Sequence, residues 1–104
     1  MAKIASVNES WGLANGTCLQ GYVAVDYTQL VALLGESYES DGYKSDAEWV
    51  VEFDNGVVAT IYNWKNGKNY CGPSGLPVES IRDWHVGGRS TEAVRLVEEL
   101  IHGR

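Results

Sequence analysis

"AEWVVEFDNGVVATIYNW", residues 47–64, decides the fold of this chain. Two runs rich in Val, Ile, Thr and aromatic residues flank Asn55-Gly56, the pair that best tolerates the two positive φ angles of a tight type I′ hairpin. With Asn55 and Gly56 as the loop, Phe53 faces Val58, Val51 faces Thr60 and Trp49 faces Tyr62. That face holds most of the aromatic mass, so it is expected to be the buried one. Glu52 with Ala59 and Val50 with Ile61 make an opposite face that is only partly polar, so the amino-terminal arm or a second subunit is expected to cover part of it.

Working outward, "LQGYVAV" reads as a first strand. Asp26 and Gln29 have the spacing of a capping box, and Tyr27, Leu30, Val31 and Leu34 form one apolar stripe of a short helix. Gly35 stands where a left-handed C-cap residue belongs. After the hairpin comes a long segment to about Ser80, then "SIRDWHV" as a further strand that Gly87-Gly88 breaks. Ser90 is expected to cap a last helix whose inner face holds Ala93, Val94, Val97, Leu100 and Ile101. The order β-α-β-β-β-α predicts an α+β domain over residues 17–104: an antiparallel sheet of about four strands with two helices on one face. Residues 1–16 read as an irregular arm.

Composition narrows the function. The chain has 104 residues, 44% hydrophobic and 21% charged, with a formal net charge of −6 and a pI near 4.7. That charge disfavours direct nucleic-acid binding, which needs a clustered positive surface. No apolar run reaches the roughly 18 residues of a membrane span. The start of the chain has no apolar core of a secretory signal, so the site of action is expected to be the cytoplasm. Cys18 and Cys71 lack the spacing of a zinc site, and neither metal nor cofactor is expected.

Templates for catalysis are missing: no G-x-S-x-G, phosphate loop, H-E-x-x-H or dinucleotide fingerprint occurs. His85 with Asp83 two residues away is the one general acid–base candidate, and no serine or cysteine is visibly offered to it. Binding is the better-supported chemistry. "WHVGGRS", residues 84–90, places two glycines and Arg89 before a helix start, a pattern suited to an anion or to simple chain reversal. Four of the eight basic residues, Lys65, Lys68, Arg82 and Arg89, fall between residues 65 and 89. Lys65, Lys68 and Arg89 of these, with Trp64, Asn69, Tyr70, Trp84 and His85, form the candidate binding set, although a core position is the better single reading for Trp64 and Trp84. The long loop is expected to fold over the sheet end and bring Lys65, Lys68, Asn69 and Tyr70 near Arg89. Such a set suits a protein interface or a small anionic ring-bearing ligand such as a nucleotide.

"GYVAVDYTQLVALLGE", "DGYKSDAEWVVEFDNGVVATIYNWKNGKNYCG" and "WHVGGRSTEAVRLVEEL" together resemble a family of small accessory proteins of tailed phages, including those of actinobacteria. The likeness covers roughly residues 20–100, and "ATIYNWKNGKNY" and "WHVGG" are its most specific parts. Leu34 departs from the Phe usual before the glycine and stays apolar. The resemblance implies a phage accessory protein of the host bacterial cytoplasm, and no known enzyme. Three functions follow in order: a host-takeover or counter-defence factor that binds a bacterial protein, a sponge for a small anionic nucleotide signal, and a small hydrolase using His85. A homo-oligomer is compatible with each.

Overall fold

The computed structural model describes residues 3–8, 16–37, 47–63 and 71–102. Five strands and two helices appear in the order β1 (Ile4–Val7), β2 (Cys18–Ala24), α1 (Tyr27–Leu34), β3 (Glu48–Phe53), β4 (Val58–Tyr62), β5 (Asp83–Gly88) and α2 (Glu92–His102). The strands form one antiparallel sheet in the spatial order β1-β3-β4-β5-β2. The α+β class and the antiparallel sheet agree with the sequence, and the strand count is five rather than four.

The extra strand comes from the arm. Ile4, Ser6 and Val7 pair with Phe53, Glu52 and Val51, with an irregularity between Ile4 and Ser6. Asn8 ends it in the left-handed region at φ 56°, a conformation Asn tolerates better than most residues. Its Oδ1 accepts from the Val50 N–H at 2.7 Å, and its Nδ2 donates to the Glu36 carbonyl at 3.0 Å. Part of the arm therefore extends the sheet sideways instead of lying irregular.

The hairpin is where expected, but its register differs by one residue. Trp49 pairs with Ile61, Val50 with Thr60 and Val51 with Ala59. The Phe53 N–H donates to Val57 O at 2.8 Å, and the Gly56 N–H to Phe53 O at 2.9 Å. Asp54, Asn55 and Gly56 thus form a three-residue loop in which Gly56 alone takes a positive φ, 89°. Asn-Gly serves this turn as well as the two-residue one. Because side chains alternate along a strand, the one-residue difference turns Val58, Thr60 and Tyr62 away from Trp49 and turns Ala59 and Ile61 toward it.

The core lies between the sheet and the helices: Trp49, Val51, Phe53, Ala59, Ile61, Trp84 and Val86 meet Leu30 and Leu34 of α1 and Ala93, Leu96 and Val97 of α2. The indoles of Trp49 and Trp84 pack edge to face at 5.5 Å, with Tyr27 beside both. Their N–H groups donate to Gly35 O at 2.9 Å and Val25 O at 3.1 Å, so neither buries an unsatisfied donor. α1 starts with the expected capping box, the Asp26 N–H donating to Gln29 Oε1 at 3.4 Å. It ends at Gly35, φ 83°, whose N–H donates to Val31 O. α2 begins one residue later than expected: the Arg95 N–H donates to Thr91 O at 3.2 Å, which makes Thr91 the cap. Leu96, outside the expected inner face, is buried.

Gly87 and Gly88 do not break β5; they are its last two residues, both buried. A methyl group on Gly88 would lie 2.5 Å from Ala93 Cβ, and one on Gly87 would collide with Thr60 Oγ1. Close approach of α2 on one side and of Thr60 on the other is what calls for glycine here.

Candidate functional site

Among the described residues, one face of the sheet carries no helix, and on this helix-free face the strand register aligns a row of side chains. Tyr22 of β2 pairs with His85 of β5, which pairs with Tyr62 of β4, which pairs with Glu48 of β3. The His85 ring meets Tyr22 edge-on at 4.9 Å and stacks on Tyr62 at 5.4 Å. Tyr22 is 61% exposed and Leu19, on the same strand, 45%. Farther along this face Val50, Val58 and Thr60 are buried, so the open surface is concentrated at the Tyr22–His85–Tyr62 end.

The row is electrically neutral apart from Glu48. Burial lowers the His85 pKa below its usual 6.5, because desolvation disfavours the imidazolium. The Tyr62 hydroxyl is raised above 10.0, first by burial and then by Glu48, Tyr22 and Cys18. Neutral imidazole and phenol groups can stack and exchange hydrogen bonds with a partner at pH 7. Asp83 does not orient His85: the buried Nδ1 of that ring has no hydrogen-bond partner. The Asp–His element of an acid–base site is therefore not formed.

The sequence-derived candidates separate. Trp84 is fully buried in the core, its ring facing the helices. This corrects its place among the binding residues: alternation along β5 sends Trp84 inward and His85 outward. Arg89 is exposed but follows β5 at the end away from Tyr62, four residues or about 13 Å beyond His85. Its Nε lies 3.8 Å from where a side chain on Gly16 would begin. Trp64, Lys65, Lys68, Asn69 and Tyr70 fall outside the described residues. The expected approach of this segment to Arg89 therefore also lies outside the described residues. Arg82 is engaged by Asp26 at 3.1 Å.

Tyr22, Tyr62 and Glu48 were not among the candidates. Tyr22 alternates with Val23 on β2, which marks it as outward, whereas the hairpin register had turned Tyr62 inward.

A groove of about 470 Å³ runs between α2 and β2, lined by Gln20 from the strand and Thr91, Val94, Arg95, Glu98 and His102 from the helix, among others. No helix among the described residues is long and apolar enough to cross a membrane.

The chain is thus an α+β protein whose described residues place helices on one face of the sheet and none on the other. No protein-family model, curated protein or solved structure matches it.

Proposed function

We propose that this chain is a small phage accessory protein of the host bacterial cytoplasm that acts by binding, as a host-takeover or counter-defence factor directed at a bacterial protein. The observation that carries this reading is the partly exposed Tyr22–His85–Tyr62 row on the helix-free face. Aromatic side chains of this kind supply much of the energy of protein interfaces. Lys65, Lys68, Asn69 and Tyr70 follow Tyr62 by three to eight residues in the sequence, which keeps them in the proposed surface. The resemblance to tailed-phage accessory proteins supports the biological setting.

A nucleotide sponge ranks second. The stacked rings would suit a base, but the Tyr22–His85–Tyr62 row itself carries no cation to hold an anion. Hydrolysis through His85 ranks third, since no carboxylate orients its ring.

The test is affinity capture from host lysate with wild type, Tyr22→Ala and Lys68→Ala/Tyr70→Ala. A specific protein held by wild type and lost from the variants, at unchanged melting temperature, is the expected result. Equal capture by all three would remove this surface from consideration. A thermal upshift with cyclic or linear nucleotides, and none with the captured protein, would move the second reading to first place.

A further inference from the structure

The two ring nitrogens of His85 stand in different surroundings. Nδ1 is buried and has no hydrogen-bond partner. Nε2 has no hydrogen bond to the described residues either, yet it is not a buried unpaired atom, so it opens to solvent. Stacking on Tyr62 at 5.4 Å and the edge contact with Tyr22 at 4.9 Å hold the ring from two sides. The backbone beneath it is fixed as well, because β5 pairs with β4 on one side and β2 on the other.

A neutral imidazole carries one N–H and one lone pair, and the surroundings of the two nitrogens decide which is which. With the proton on Nδ1, a donor is buried without an acceptor and a bare lone pair faces outward. With the proton on Nε2, the buried atom is an acceptor and the donor faces outward. Along the backbone, buried N–H groups without a partner are rarer than under-satisfied C=O groups, a sign that an orphaned donor costs more. The same asymmetry in the ring favours the proton on Nε2. Protonating both nitrogens would again bury an N–H at Nδ1, in keeping with the lowered pKa of His85.

We infer that His85 is held as the Nε2–H tautomer, and that this N–H is the donor with which the helix-free face recognises a hydrogen-bond acceptor of its partner. The inference rests on the reading of that face as a protein-binding surface, and it names what the partner has to present. That is an oxygen acceptor beside the Tyr22 ring, which is 61% exposed and touches His85. The Tyr22–His85–Tyr62 row has no cation, so a directional hydrogen bond takes the place of an ion pair. A partner that sets a donor or an apolar group against Nε2 leaves the outward N–H unpaired and is rejected for that reason. His85 thus determines specificity on a surface whose contact area comes from tyrosine.

Nitrogen-15 NMR of the histidine rings in the free wild-type chain, at about pH 8 where the imidazole is neutral, reads the tautomer directly. The His85 signals are those that vanish in His85→Gln. A proton on Nε2 is expected; a proton on Nδ1, or equal populations of the two forms, overturns the inference. Capture from host lysate gives the second readout. His85→Gln sets an amide N–H two bonds beyond Cγ, as Nε2 is, whereas His85→Asn sets one a single bond beyond, as Nδ1 is. His85→Gln is expected to hold the protein that wild type holds, while His85→Asn and His85→Phe weaken binding about three- to tenfold with native circular dichroism. Equal weakening by His85→Gln and His85→Asn overturns the outward donor, and so does full retention by His85→Phe. A wild type that captures nothing overturns the protein-binding reading and the donor role with it. The Nδ1–H tautomer with capture intact overturns the donor role alone, so the two failures are distinct. Should a variant misfold, the wild-type ring spectrum still decides.

Discussion

On the helix side of the sheet, Trp49, Phe53, Ile61, Trp84 and Val86 are buried against α1 and α2, and both indole N–H groups have carbonyl partners. On the other side, Tyr22, His85 and Tyr62 touch one another and the solvent, and the His85 Nδ1 is left without a partner. Both faces are aromatic. What separates them is exposure: one face is sealed beneath the helices, whereas the other leaves Tyr22 and Leu19 open to solvent. Stability is expected to reside on the first face and recognition on the second.

The sharpest way to break that division is to cut each face. Trp84→Ala is expected to destabilise the chain by about 3–5 kcal/mol in denaturant unfolding, the range for truncating a buried aromatic. A loss under 1 kcal/mol would mean that Trp84 does not hold the helices.

Next in size is Gly88→Ala, expected to cost about 1–3 kcal/mol because the methyl group meets Ala93 Cβ and the start of α2 has to shift. Gly87→Ala probes the other face. Its obstacle is the Thr60 hydroxyl, so a Thr60→Ala background should recover much of the loss, and the same background should leave Gly88→Ala unrelieved. Additive costs for Gly87→Ala and Thr60→Ala would contradict the contact.

A smaller effect is the pH response of the helix-free face. The His85 pKa is lowered on folding, so the unfolded chain binds the proton more readily. Stability from this group is intact above the unfolded value of about 6.5 and is lost as pH falls from there to the folded value. Melting temperature should therefore drop on acidification below about 6.5, and less so in His85→Phe. Identical pH profiles for the two proteins would show that His85 is not desolvated.

Smallest are the surface changes. Removing the exposed Arg82–Asp26 pair with Arg82→Ala should alter stability by about 1 kcal/mol or less. Tyr22→Ala should cost about as little while abolishing capture of the partner, the dissociation that most directly separates the two faces.

Much of this was legible locally. The Asp26/Gln29 box, the Leu30/Leu34 stripe, the helix end at Gly35 and the place of the two strands around Asn55-Gly56 follow from contacts within a few residues, and these elements stand where the sequence puts them, the hairpin register apart. The site was less legible. "VVATIY" has no polar alternation, because Val58 and Thr60 are buried on one face and Ala59 and Ile61 on the other. Periodicity could not say which way Tyr62 points, and the row with His85 and Tyr22 stayed hidden. Gly87-Gly88 looked like a turn before a helix since nothing in the sequence announces that Thr60 and Ala93 crowd them.

By itself the sequence determined the α+β class, the hairpin's place, the first helix with both its ends, and the acidic composition. These are short-range or bulk properties, set by propensity, capping and charge. Tertiary structure alone decided the hairpin register, the strand made from residues 4–7, and the alignment of Tyr22, His85 and Tyr62. Each depends on which distant strand offers its edge, and a one-residue change in a turn is enough to exchange the two faces of a strand.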